Sequence, residues 1–231
     1  MQSQKQNERT QTIQVQKREE LLEKITKLVR EAKLKKESRD LLIFLGFLSV
    51  AVIGRVALQW VPSVEPIIPM AVMAGILFGM KEGFMLGGSA YIISNFFVWG
   101  LQGPWTIFQA LGAAIPGLAA GFYAKFRKIG TKEFVILTVA GTLFYEALMN
   151  ISGTFMGIGL LGAFGIFTLP LYFLTSLPFS IAHTATNAAF AKLLSPLLEK
   201  WRKKDEFKIV SVSRSDSGKH SSVRLYKSES D

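Results

Sequence analysis

Between Lys132 and Lys192 the chain runs for 59 residues without a lysine or arginine, although its formal net charge is +10. Two more such blanks precede it, 25 residues from Val56 to Met80 and 43 from Glu82 to Ala124. Eleven Lys/Arg fall in residues 1–40 and ten from Lys192 onward, leaving only Arg55, Lys81, Lys125, Arg127, Lys128 and Lys132 between. A helix that crosses a bilayer needs about 20 apolar residues, and cytoplasmic loops gather Lys and Arg. If the basic clusters share the cytoplasmic side, each blank must leave and return, so crossing helices come in even numbers. The pattern predicts a multi-pass protein of the plasma membrane with both termini cytoplasmic.

Composition narrows the classes further. With 49% hydrophobic residues, the 231-residue chain suits one bundle rather than several soluble domains. The first 40 residues are polar, which argues against a secretory leader at Met1. The absence of Cys excludes disulfides, thiolate metal sites and iron–sulfur clusters, and two histidines, His183 and His220, are too few for a His-rich metal centre. No metal or cofactor is expected. The positive charge sits in two tails around an apolar core, which fits a membrane topology more simply than a nucleic-acid partner.

The chain divides into a charged cytoplasmic segment (1–40), an all-α six-transmembrane-helix bundle (41–195) and a basic Ser-rich cytoplasmic tail (196–231). Within the first, residues 13–37 read as an amphipathic helix, with Leu21, Ile25, Leu28 and Ala32 on one face. Such a helix either rests on the inner membrane surface or docks to a partner. The crossings are predicted at Leu41–Val61, from the Val61–Pro66 turn to about Met80, Gly83–Trp99, Trp105–Ala124, Phe134–Ser152 and Leu174–Leu194. Residues 153–170 carry Gly153, Gly157, Gly159, Gly162 and Gly165, which disfavour a helix interior, and read as an ordered outer connector. From Asp205 the tail has little to pack and is expected to be disordered, with Ile209–Val212 at most a short strand.

Small residues four apart allow helices to approach closely in lipid. Ala71, Gly75, Gly79 and Gly83 form one such ridge, and Ala113, Gly117 and Gly121 another. They read chiefly as structural ridges, with a sliding surface for a partner as the rarer role.

Ionisable groups inside a span cost about 2.5–3.5 kcal/mol on insertion scales and so carry a functional hypothesis. Glu146 and Asn150 repeat at i, i+4 in the fifth crossing, as do His183 and Asn187 in the sixth. Asn95 closes the third, Trp60 and Glu65 belong to the first outer loop, and Trp105 and Gln109 open the fourth. Together they suit a pocket open to the outside, with aromatic contact and amide hydrogen bonds. Arg55, near the outer end of the first crossing, either snorkels or pairs with Glu65 or Glu146.

Missing motifs exclude other chemistry. There is no G-x-x-x-x-G-K-[ST] loop for ATP, no H-E-x-x-H and no acidic metal cluster. Ser89 lacks a G-x-S-x-G setting, so a hydrolase dyad with His183 is a minor alternative.

Pro62-Ser63-Val64-Glu65-Pro66, Ser94-Asn95-Phe96-Phe97, Gln102-Gly103-Pro104-Trp105-Thr106 and Gln109 resemble the substrate-binding S components of energy-coupling factor (ECF) vitamin importers. Tyr145-Glu146 with Asn150, and Pro178-Phe179-Ser180 with His183, Asn187 and Phe190, resemble the fifth and sixth helices of those proteins. The likeness covers roughly residues 41–195. It implies a non-enzymatic subunit that captures a vitamin or precursor and delivers it with a T-type transmembrane subunit and two ATP-binding subunits. It also implies loops at about 61–66, 100–104 and 153–173 over the ligand, and partner packing through Gly46 and Gly54, with Ala71, Gly75 and Gly79 as further small positions. The chain departs from the family in lacking an alanine-x-x-x-alanine ridge in the first crossing and in having Ser180 where relatives carry an acid. Alternatives are a stand-alone secondary transporter or channel, an intramembrane enzyme using Ser89 or Glu146 with His183, and a scaffold recruiting partners through its N-terminal helix.

Overall fold

The computed structural model describes the backbone of residues 2–98, 103–161, 167 and 169–216, with side chains within 22–35, 37–98, 103–154, 156, 167 and 169–202. All regular structure among these residues is helical: α1 (Gln2–Leu58), α2 (Ile67–Phe78), α3 (Met80–Ser94), α4 (Trp105–Ala124), α5 (Thr131–Leu161) and α6 (Leu169–Asp216). Two compact units divide at Gly46/Phe47. In the first, Ile25, Leu28 and Ala32 of the expected apolar face are all exposed, and Leu21 lies outside the described side chains.

In the second unit α4 packs against α2, α3 and α5, while α6 packs against α5 and α2. The outward surface is apolar: Val50, Ile53, Phe84, Ile92, Ile107, Ile115, Phe122, Ile136, Leu143, Leu174 and Ile181 are exposed. Water would expel so wide an apolar belt, whereas lipid solvates it. Among the described residues, three helical stretches are long and apolar enough to cross a membrane: Leu22–Leu58, Trp105–Ala124 and Thr131–Thr154. α2 is apolar but shorter, at 12 residues.

The small-residue ridges explain how α4 reaches the centre. A Cβ on Gly75 or Gly83 would overlap the Gly117 carbonyl, and one on Gly117 would overlap the Gly83 carbonyl and lie 3.0 Å from the Ala71 carbonyl oxygen. Backbones therefore touch across these helices, in the manner expected where hydrophobic exclusion supplies no drive. Ala71 and Gly75, also considered for partner packing, are buried here against α4. Gly54 faces Pro66 of the following loop, whereas Gly46 has open space beside it.

The boundary between the second and third crossings, expected between Met80 and Gly83, falls at Gly79, which interrupts the helix with φ +117°. That conformation is strained for a residue with a Cβ. Gly79→Ala should therefore cost about 1–2 kcal/mol, read as a lowered unfolding midpoint of the detergent-solubilised protein. An unchanged midpoint would show that the α2–α3 junction relaxes freely.

Further boundaries differ from the sequence expectation: α3 stops at Ser94 rather than Trp99, and its chain turns over residues 95–97. Residues 153–161, expected to be a non-helical connector, continue α5 to Leu161. Glycine's propensity penalty of about 1 kcal/mol is outweighed where no water can satisfy free backbone groups, because the helix bonds them internally. The same stretch is used for packing, since Trp105 and Tyr172 both lie against Gly153. Residues 162–166 and 168 of that connector lie outside the described residues. α6 starts at Leu169 rather than Leu174, with Pro170 in its first turn where a missing N–H costs nothing. Its helical backbone includes residues 209–212, so the short strand weighed there is absent, and residues 217–231 lie outside the described residues.

Candidate functional site

Arg55 near the end of α1, the α3 terminus, the α4 start and the polar residues of α5 and α6 meet at one end of the second unit. Glu65 is brought there by the Val61–Pro66 loop, whose Ser63 has φ +62°. Thr186 Oγ1 donates to the Ser63 carbonyl at 2.8 Å, fixing this loop to α6.

At the centre is Glu65. Arg55 Nε lies 2.8 Å from its Oε2, and the Tyr91 hydroxyl donates to its Oε1. Arg55 is thereby paired with Glu65, one of the two partners its position left open. The guanidinium also donates through Nη1 to Ser94 Oγ at 2.6 Å and Asn95 Oδ1 at 2.5 Å, and its Cζ sits 4.5 Å from the Tyr91 ring centroid. Asn95 in turn donates from Nδ2 to Thr106 Oγ1 and Gln109 Oε1, both at 2.8 Å. One cation thus ties α1, the first loop, α3 and α4 together.

The second half of the network is built on Glu146 of α5. Its Oε1 is 2.6 Å from His183 Nδ1, and its Oε2 accepts from Ser180 Oγ at 2.6 Å. His183 Nε2 lies 3.4 Å from Glu65 Oε1, within ion-pair range but without hydrogen-bond alignment. The imidazole therefore stands between two carboxylates. Tyr145 fixes its orientation from the side: it stacks on Tyr91 at 5.5 Å and meets His183 edge-on at 5.4 Å. Gly112 makes room for that ring, since a Cβ there would come within 2.6 Å of Tyr145 Cδ2.

Below this layer, Asn187 Nδ2 donates to Thr142 Oγ1 at 3.0 Å. Asn187 Oδ1, Thr138 Oγ1 and Thr184 Oγ1 are buried without a hydrogen-bond partner. Unsatisfied buried acceptors and hydroxyls are costly unless water or a ligand meets them.

Of the residues singled out from sequence, Glu65, Asn95, Gln109, Glu146 and His183 share one connected network. Asn187 lies a turn from His183 on α6, and Asn150 is buried on α5 a turn beyond Glu146. Trp105 rests against Gly153, and Trp60 is 68% exposed on the loop. Tyr91 is not among the residues singled out from sequence, and Ser94 and Thr106 enter there only within the segments that carry the family resemblance, without a role. The i, i+3, i+4 spacing of Tyr91, Ser94 and Asn95 on one helical face is a usable signal for the first two. Asn95, Gln109 and His183, expected to line a pocket open to the outside, are buried, and their polar atoms bond within the network.

A buried array of this kind, in a helical bundle with a lipid-type surface, defines a membrane protein with a polar centre. Ionisable groups within such bundles mark solute or proton pathways. The galactose-proton symporter of Escherichia coli (strain K12) is 32% identical to the chain over 111 residues, covering 45% of this chain and 24% of the symporter. The galactose-proton symporter of Escherichia coli O6:H1 gives the same figures. The chain thus spans about a quarter of the length of the curated relatives it matches. No protein-family model and no solved structure matches it. The similarity supports membrane transport as the general class.

Proposed function

We propose that the chain is the substrate-binding subunit of an ATP-driven ECF-type importer in the plasma membrane. In this reading it captures a vitamin or vitamin precursor from outside, and a T-type subunit with two ATP-binding subunits drives import. The chain itself performs no chemistry on the ligand. The observation that carries the proposal is the convergence of Glu65, Asn95, Gln109, Glu146 and His183, which come from five separate segments bearing the S-component resemblance. Asn187 Oδ1, a turn from His183, gives a polar ligand a further group to satisfy. Six crossings with cytoplasmic termini belong to the same reading, through the placement of Lys and Arg. Ligand entry requires the Val61–Pro66 loop to lift, which breaks the Thr186–Ser63 bond and exposes Glu65.

A second reading is a stand-alone secondary transporter for a small organic solute. It is favoured by His183 lying between Glu146 and Glu65, an arrangement able to take up and release a proton, and by the symporter similarity. Uptake by proteoliposomes separates the two. The importer reading expects ATP-dependent vitamin uptake only when the T-type and ATP-binding subunits are present. Uptake driven by a proton gradient in vesicles containing this chain alone would favour the second reading and count against the first.

A further inference from the structure

The charges at the centre of the network do not cancel by themselves. Arg55 is a cation and Glu65 and Glu146 are carboxylates, so the set is neutral only when His183 carries its proton. None of the four side chains is more than 16% exposed. An uncompensated charge held in such an interior is costly.

The surrounding segments leave that sum unchanged. Over residues 41–80 Arg55 and Glu65 are the only ionisable residues, and residues 83–122 and 134–191 add only Tyr91, Tyr145, Glu146, Tyr172 and His183. Tyr145 of α5 meets His183 edge-on and Tyr91 of α3 stacks on Tyr145, and phenols are uncharged near neutral pH. Tyr172 lies instead against Gly153. α2, which also packs on α6, carries no ionisable residue, and α4 brings the neutral Thr106 and Gln109. The nearest lysine along α6 is Lys192, nine residues or about 13 Å from His183.

Two buried atoms of α6 also lack a bond. His183 Nε2, 3.4 Å from Glu65 Oε1, has no hydrogen-bond partner, and neither has Asn187 Oδ1 one turn further on. Glu65 belongs to the Val61–Pro66 loop, whereas Glu146, His183 and Asn187 sit on α5 and α6. When the loop lifts, Glu65 leaves with it, and Arg55 and Glu146 balance without a proton on His183. Closure brings Glu65 back and restores the need for one more positive charge.

We infer that the ligand supplies this charge: the site closes over a compound bearing a single positive charge, which Glu65 and Glu146 receive in place of the His183 proton. The inference rests on the capture reading above and adds the charge class of the ligand to it. In the empty closed site His183 is an imidazolium. In the loaded closed site the imidazole is neutral, its proton has passed to solvent, and Asn187 Oδ1 accepts from a donor on the ligand. One cation enters and one proton leaves, so raising the pH favours binding.

The test is equilibrium binding to the full chain in detergent, using permanently charged heterocycles beside uncharged isosteres. The pairs are N-methylated nicotinamide with nicotinamide, and thiamine with its thiophene isostere; riboflavin and biotin represent larger neutral and anionic compounds. At least one cation should bind about tenfold or more tightly than its isostere. Its affinity should rise by up to about tenfold per pH unit between about pH 6 and pH 8, and calorimetry in buffers of different ionisation enthalpy should show about one proton released per ligand. His183→Gln should abolish both the pH dependence and the proton release while the cation still binds, and Glu146→Gln should abolish the preference for the charged member of the pair. Binding of an uncharged or anionic compound as tightly as every cation leaves the capture reading standing and overturns the inference. Cation binding without proton release, or with release unchanged in His183→Gln, overturns it as well. No binding by any compound overturns the capture reading and this inference together.

Discussion

Substituting Arg55 by leucine should destabilise the protein by about 3–5 kcal/mol, the cost typical of leaving one charge of a buried pair without its partner. Arg55 is 8% exposed, and Glu65 would keep only the Tyr91 hydroxyl and the misaligned His183 Nε2 nearby. The same change removes the donors to Ser94 and Asn95, so the contact between α1 and the end of α3 loosens as well. The expected readout is a large fall in the unfolding midpoint in detergent, together with loss of ligand binding. Arg55→Leu combined with Glu65→Leu should recover roughly 2 kcal/mol relative to the single variant, because both charges then leave the interior. Recovery stays partial since Tyr91 loses its acceptor, a penalty of about 1–3 kcal/mol. A double variant no more stable than Arg55→Leu would show that Glu65 is not stranded in that single variant.

An effect of similar size is expected where no charge is involved. Gly117→Val places a branched side chain against the Gly83 and Ala71 carbonyls, and neither can move aside without shifting a helix. Overpacking of a close contact typically costs about 1–3 kcal/mol and more when backbone is the obstacle. We expect at least the upper end of that range and a poor yield of monodisperse protein. Gly88→Ala is the matched control, because a Cβ there meets only Ala114 Cβ at 3.7 Å and the Ala110 carbonyl at 4.0 Å. Comparable losses from both substitutions would show that the α3–α4 approach is not set by the small-residue ridge.

Much of the helical layout was legible because lipid imposes simple rules. The Trp105–Ala124 helix agrees at both ends with the expectation from its flanking Pro104 and Lys125. The ridges of α2, α3 and α4 were readable from four-residue spacing alone. Where the reading failed, it used rules calibrated in water: the glycines after Ser152 suggested a connector, yet α5 continues through them. Gly79 was read as a ridge position, and its positive φ, which splits α2 from α3, has no signature in the local residue types.

The site was legible in a different sense. Polar residues within apolar runs identified Asn95, Glu146, His183 and Asn187 as candidates, since each is expensive unless partnered. Their pairing was not readable. Arg55 selects Glu65 over Glu146 because the loop turns back over the end of α1, a consequence of Pro62, Pro66 and the left-handed Ser63 acting together. The roles of Tyr91 and Tyr145 were not readable because aromatic residues in a span usually face lipid, whereas here both are buried, Tyr91 stacked on Tyr145 and Tyr145 edge-on to His183. Trp60, chosen for its aromatic surface, is instead exposed at the loop. It would reach a ligand only if that loop rearranged.

The central claim is that the Arg55–Glu65–His183–Glu146 array captures a small organic ligand. Equilibrium binding of a panel of vitamins and precursors to the purified chain, compared with Glu146→Gln and Asn95→Ala variants, tests it most directly. The account predicts binding of at least one compound below micromolar concentration, weakened at least about tenfold by either variant, or roughly 1.4 kcal/mol, with the fold retained. Contradiction would take the form of no compound bound at micromolar concentration, or of a bound compound whose affinity neither substitution changes.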